Sequence, residues 1–219
     1  DPGDRFDSED AEEGIEERAA WMLNKNEKWH GFGNLAPNFN MLDPIKATII
    51  TPGLNVDGEF DEKLGIPAMI VTKYLAEHGV IVEKTGLYSF FIMFTIGITK
   101  GRWNTLVAAL QQFKDDYDKN QPIWKVLPEF SQKFPIYESV GLKDLSDKIH
   151  EIFTQNDIAR LTTEMYLSDM VPAMKPANAF AKMAHKEIQR VPIDDLEGRI
   201  TAVLLTPYPP GIPLLIPGE

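Results

Sequence analysis

Cysteine is absent from all 219 residues. That excludes disulfides and thiolate chemistry, and it suits a reducing compartment, so a cytoplasmic location is expected. Histidine is scarce. His30, His78, His150 and His185 are the four, and none stands at zinc-ligand spacing from another His, Asp or Glu, so no metal is expected. Basic residues are few, 22 Lys and Arg against 33 Asp and Glu, a formal net charge of −11. A chain so acidic lacks the basic face that phosphates need, which argues against nucleic acid. No apolar run approaches the roughly 18–20 residues that span a bilayer, so no membrane partner is expected. There is no GxSxG, no P-loop and no GxGxxG after a strand. Gly97-Ile98-Thr99-Lys100-Gly101 lacks the GK[ST] of a phosphate loop and reads as a strand-to-helix corner.

What is present is an ordinary globular composition, 43% hydrophobic, 25% charged and 10% aromatic. The acidity is uneven, because residues 1–20 hold nine carboxylates against Arg5 and Arg18. Residues 1–28 therefore read as an acidic lead-in, disordered over 1–10, with an amphipathic helix over 12–26. The chain opens DPGDRFDSED without an initiator Met and ends LLIPGE, so it reads as a piece of something longer. Residues 29–44 are a loop by their Gly, Asn and Pro content, with Trp29 and Phe32 as its expected anchors.

Residues 45–119 read β-α-β-β-α. A strand over Ile45–Thr51 stops at Pro52-Gly53. In the turn-rich 53–65, Asn55, Asp57, Glu59 and Asp61 fail the spacing of a calcium loop. A helix follows over Pro67–His78, with Pro67 at its first position, Gly79 as its left-handed cap and a stripe of Ile70, Val71, Tyr74 and Leu75. Val80–Glu83 is a short strand, Lys84–Leu87 a turn, and Tyr88–Ile96 a strand expected to be buried on both faces. Lys100–Lys119 is a helix with Leu106, Leu110, Phe113 and Tyr117 on one side. Beyond Asn120 the segments shorten. Helices are expected over Leu142–Phe153 (Leu145, Ile149, Ile152 and Phe153 inward), Ile158–Leu167 and Ala177–Gln189, then a strand over Arg199–Leu205 and an extended Pro-rich path to 219. The fold class is thus mixed α/β (α+β). A small open-sheet subdomain (29–119) precedes a mostly helical domain with a few strands (120–219).

Asp115-Asp116 and Asp194-Asp195 lie on expected surface. Glu83 is different, a lone carboxylate in strand-like apolar sequence. By itself it is a surface residue on a sheet edge or a ligand for a cation in a cleft.

Three stretches occur in order: MLDPIKATIITPG (41–53), GVIVEKTG (79–86) running into FTIGITKGRWNTLV (94–107), and PYPPGIPLLIPGE (207–219), with GRITA (198–202) just before the last. Together they resemble the bacterial ornithine/lysine/arginine decarboxylases, fold type I pyridoxal-phosphate enzymes, over residues 29–219. The resemblance implies a pyridoxal 5'-phosphate cofactor that takes up the electrons left when CO₂ departs. It implies a basic amino acid substrate and a homo-oligomer, a dimer and then a decamer. Family members attach the cofactor to a lysine in a Ser-x-His-Lys context that this chain lacks. No catalytic and no cofactor-binding residue is therefore expected here, and the chain alone should be inactive. The position matching Glu83 lies near bound substrate in lysine- and ornithine-acting members, which makes Glu83 a substrate-binding residue for the distal ammonium and leans the reading to lysine. Trp103 does not separate the branches. Arginines that hold a guanosine tetraphosphate inhibitor in the inducible lysine branch align with Asp115 and Pro122, so that regulation is not expected. The competing readings are a non-catalytic oligomerisation or inhibitory module related to these enzymes, and an unrelated α/β binding domain.

Overall fold

The computed structural model describes residues 21–27, 30, 32–43, 45–55, 58–61, 63–207 and 211–219. The acidic lead-in through residue 20, Trp29, Asp57 and the Tyr-Pro-Pro of 208–210 lie outside the described residues. The elements run β1 (Lys46–Ile50), α1 (Ala68–Glu77), β2 (Lys84–Thr85), β3 (Ser89–Met93) and α2 (Lys100–Asp118). Short helices α3 (Ile123–Val126) and α4 (Pro128–Lys133) follow, then α5 (Leu142–Gln155), α6 (Ile158–Leu167) and α7 (Pro176–Ala184). The expected β-α-β-β-α order and the helical remainder are both present.

The boundaries of α1 follow from its end residues. Pro67 is the N-cap rather than the first helical residue, with φ −54° and ψ 128°. Gly79 adopts φ +80°. The Val80 N–H donates to the Leu75 carbonyl and the Gly79 N–H to that of Ala76. These are the two reverse bonds of a Schellman cap, which satisfy carbonyls the helix itself leaves open. Ile70, Val71, Tyr74 and Leu75 are all buried, as their spacing requires.

The sheet is antiparallel in the order β1-β3-β2. Its details depart from expectation at two places. The strand placed at Val80–Glu83 begins only at Lys84, although the Glu83 N–H already donates to the Phe91 carbonyl at 2.9 Å. Strand β3 stops at Met93 and is buried on one face only, through Phe90 and Ile92; Ile96, beyond its end, is fully exposed. An antiparallel sheet of this kind needs helices on one side alone, so an apolar run did not mean two covered faces.

The core joins α1, β3 and α2 through Tyr74, Leu75, Phe90, Leu106 and Phe113, and continues without a break into Ile123, Leu127 and Leu142. Each such side chain contributes about 1.5–3 kcal/mol on burial. Two long-range caps reinforce the continuity. Asn120, in the left-handed region just beyond α2, accepts the N–H groups of Lys143 (2.9 Å) and Asp144 (3.2 Å) at the start of α5. A Cβ at Gly141 would come within 2.1 Å of the accepting Asn120 oxygen, so the close approach needs glycine. Likewise the Glu77 carboxylate accepts the N–H groups of Glu129 and Phe130 at 3.1 and 3.0 Å, at the start of α4.

Other expectations need correction. From Met22 the chain is not helical, since Met22 bridges Met41. Phe32 stacks on His30 but is 56% exposed, so it anchors little. In α5, Leu145 and Ile149 pack against the core as expected, but the buried stripe is Leu142, Ser146 and His150, and Ile152 is exposed. Helix α7 ends at Ala184 because Lys186 turns to φ +61°. Residues 199–205 form no strand. Leu205 makes an isolated bridge to Leu215, and Thr201 exchanges hydrogen bonds with Gly218 and Glu219, so the tail doubles back on itself.

Candidate functional site

Strand β2 sets the geometry around Glu83. Thr85 pairs with Phe90 and Lys84 with Phe91. Directly opposed residues share a face. Phe90 is buried toward the helices, so Thr85 lies on the α1 side, where its hydroxyl donates to Thr72 Oγ1 at 3.3 Å. Lys84 takes the open side. There, with Thr48, Gly86, Ser89, Phe90 and Phe91, it lines a groove of about 300 Å³. While its neighbour Val82 packs against the core, Glu83 sits exposed in the bend just before β2, at the edge of the sheet. Its carboxylate has no hydrogen bond or ion pair with any described residue. Next to it, Ile81 is 87% exposed.

A second cluster escaped the reading of the sequence. His150, on α5, is buried between the sheet and the 53–65 loop. Its Nε2 stands 2.8 Å from the Asp61 carbonyl and its Nδ1 2.6 Å from the Tyr88 hydroxyl. Gly65 and Gly53 admit the two rings, since a Cβ there would come to 1.9 Å from His150 Nδ1 and 2.2 Å from Tyr88 Cε1. Burial pushes the Tyr88 phenol up to about 12. Asp61 accepts the N–H groups of Lys63 and Leu64, which hold its carboxyl below the usual range. An open groove of about 350 Å³ beside His150 is lined by Lys63, Asp147, Glu151, Thr154 and Gln155. The His150 side chain is thus wholly used in holding α5 to the loop and the sheet. Three glycine and aromatic positions 60–100 residues from His150 carry no local pattern that would have announced this.

The carboxylates divide. Asp115, Asp194 and Asp195 are exposed, but Asp116 is buried and accepts the Tyr74 hydroxyl at 2.8 Å, contrary to expectation. Burial first, and the Asp116 carboxylate second, raise the Tyr74 phenol well above its ordinary value. Trp103 packs edge-on against Phe94 at 5.3 Å. Asn55 and Glu59 bond each other across a turn closed by the Leu54–Phe60 bridge. No group of three or more metal-binding side chains gathers among the described residues. No helix of the described residues is long and apolar enough to cross a membrane.

Among the described residues no lysine stands in the Ser-x-His-Lys context expected to hold pyridoxal phosphate. The one His-Lys pair, His185-Lys186, is preceded by Met183 rather than Ser and is exposed at the end of α7. An imine-forming lysine needs an enclosed site that lowers the cost of its neutral form, and this one is in water.

Comparison with known proteins gives two family matches. Residues 6–102 match the Orn/Lys/Arg decarboxylase major domain and residues 159–219 the C-terminal domain of the same enzymes. The chain belongs to the Orn/Lys/Arg decarboxylase family. The major-domain match starts at residue 6, ahead of residue 29 where the likeness was read in the sequence. Among relatives in this family, the lysine decarboxylase LdcA of Pseudomonas aeruginosa is 50% identical over 91% of this chain and 26% of its own length. The biodegradative arginine decarboxylase of Escherichia coli is 38% identical over 91% of this chain and 26% of its own length. The solved constitutive lysine decarboxylase of E. coli superposes with a TM-score of 0.81 at 38% identity, over 91% of this chain and 28% of that one. The chain spans about a quarter of the length of the curated decarboxylases it matches.

Proposed function

We propose that this chain is the C-terminal portion of a pyridoxal-phosphate-dependent basic amino acid decarboxylase that converts lysine to cadaverine. The observation that carries the reading is the 50% identity to one lysine decarboxylase; the lysine decarboxylases of Escherichia coli, at 37–39%, stand level with its arginine enzyme at 38%. Residues 29–119 complete the catalytic region and 120–219 belong to the C-terminal domain. The lysine that holds the cofactor lies outside this chain, so the chain alone is inactive. The whole enzyme is a cytoplasmic homo-oligomer, built as dimers and then a decamer.

In this reading the unpartnered carboxylate of Glu83 binds the distal ammonium of the substrate. A desolvated charge pair at the far end of an aliphatic side chain selects by length and by charge, which a hydrophobic slot cannot do. Asp115 and Pro122 offer no cation to a phosphorylated nucleotide, so the enzyme lacks the guanosine tetraphosphate control of the inducible lysine branch.

The test is the complete enzyme, loaded with cofactor and offered lysine, ornithine and arginine in turn, with diamine or agmatine product measured. Lysine is expected to show the highest kcat/KM. Faster turnover of arginine or ornithine would overturn the assignment.

A further inference from the structure

The position of Glu83 needs an explanation, because little holds it. Its side chain has no partner among the described residues. Its backbone is joined to β3 by one hydrogen bond, the N–H to the Phe91 carbonyl. The strand that follows is only Lys84–Thr85, and it forms the edge of the sheet. A two-residue edge strand is free to twist about its own axis, and its residues alternate faces. A small rotation of β2 would therefore carry Glu83, which leads directly into it, away from any ligand.

One side-chain hydrogen bond among the described residues opposes that rotation. Thr85 Oγ1 donates to Thr72 Oγ1 on α1 at 3.3 Å. Thr72 spends its own hydrogen on the Met69 carbonyl, also at 3.3 Å, which leaves its lone pairs to accept from Thr85. The bonds run in one direction, from β2 through Thr72 into the first turn of α1. Both threonines are half-buried, and β-branched side chains are stiff at χ1, so the link transmits the orientation of α1 to β2. Helix α1 is itself locked by its core stripe and its Schellman cap. We infer that Thr85 and Thr72 are positioning residues that fix the direction of the Glu83 carboxylate and thereby tune affinity for the distal ammonium. The inference rests on the reading of Glu83 given above.

The experiment uses the complete holoenzyme and compares Thr85→Val, Thr72→Val, Thr85→Ser and Glu83→Gln. Valine keeps the shape and removes the hydroxyl, and serine restores it. Loss of one hydrogen bond that orients a binding group predicts a rise of about three- to tenfold in KM for lysine with either valine variant. The same variants should keep kcat within about twofold, since they weaken substrate binding rather than an interaction made only in the transition state. Preference for lysine over ornithine should fall in step, and Thr85→Ser should recover most of it. If Thr85→Val fails to fold, Thr72→Val breaks the same bond from the helix side. An unchanged KM in a folded valine variant, beside a raised KM in Glu83→Gln, would overturn the positioning role and leave Glu83 standing. An unchanged KM in Glu83→Gln would remove the role of Glu83 and the positioning role with it. A valine variant that only lowers Tm, with lysine preference intact, would reduce the threonine pair to a structural contact.

Discussion

The Tyr88 hydroxyl meets His150 Nδ1 at 2.6 Å, across 62 positions of sequence. On its other side, the imidazole Nε2 faces the Asp61 carbonyl. A carbonyl only accepts, so Nε2 carries the hydrogen and Nδ1 accepts from the phenol. The tautomer is thus assigned by the partners, and every polar atom of the two side chains is satisfied.

Tyr88→Phe would leave that Nδ1 without a donor in a buried site. A loss of about 1–3 kcal/mol is expected, read as a lower urea midpoint with an unchanged m-value. Gly65→Ala should cost as much or more, because its Cβ would collide with the imidazole rather than with a mobile chain end.

Alkali should loosen the same joint. The Tyr88 phenol is raised to about 12 by burial, and the Tyr74 and Tyr117 phenols are raised as well. A raised value means that the folded state favours the neutral phenol. The stabilisation is complete below the unfolded value of about 10 and disappears as pH climbs through the folded one. Denaturant midpoints should therefore fall between about pH 10 and pH 12, with about 2–3 kcal/mol of the loss due to Tyr88. Tyr88→Phe should flatten that slope; an equally steep slope in the variant would refute the attribution.

Glu77 sits at the C-terminal end of α1, where a carboxylate is poorly placed for its own helix dipole. Its side chain, only 3% exposed, pairs with Lys73 one turn earlier at 3.1 Å and also serves α4, by accepting the Glu129 and Phe130 N–H groups. Glu77→Ala should cost about 0.5–2 kcal/mol, as loss of an N-cap does. Amide exchange should accelerate first at residues 129–133, with α1 itself little changed.

Much of this fold is legible in the sequence wherever periodicity and end signals agree. Ala68–Glu77 has a proline before it, a glycine after it and an unbroken stripe, and Ile158–Leu167 emerges with the boundaries its pattern implies. Legibility fails where long-range partners decide. Asp116 reads as a solvated carboxylate until Tyr74, 42 residues away, is seen to donate to it. The apolar run after Tyr88 cannot reveal that only one face of the sheet is covered. Residues 199–205 have the composition of a strand but find no neighbour to ladder with beyond Leu215. For the site, sequence pattern alone leaves Glu83 undecided between edge residue and ligand, because its meaning lies in what it would face.

The most direct test of the account is therefore the lysine-to-ornithine preference of the complete enzyme with Glu83 and with Glu83→Gln. Removing the charge while keeping the shape should raise KM for lysine by about tenfold or more and erode the preference, as loss of a desolvated ion-pair partner does. Unchanged lysine kinetics and unchanged preference would contradict the assignment of Glu83 as the group that binds the distal ammonium.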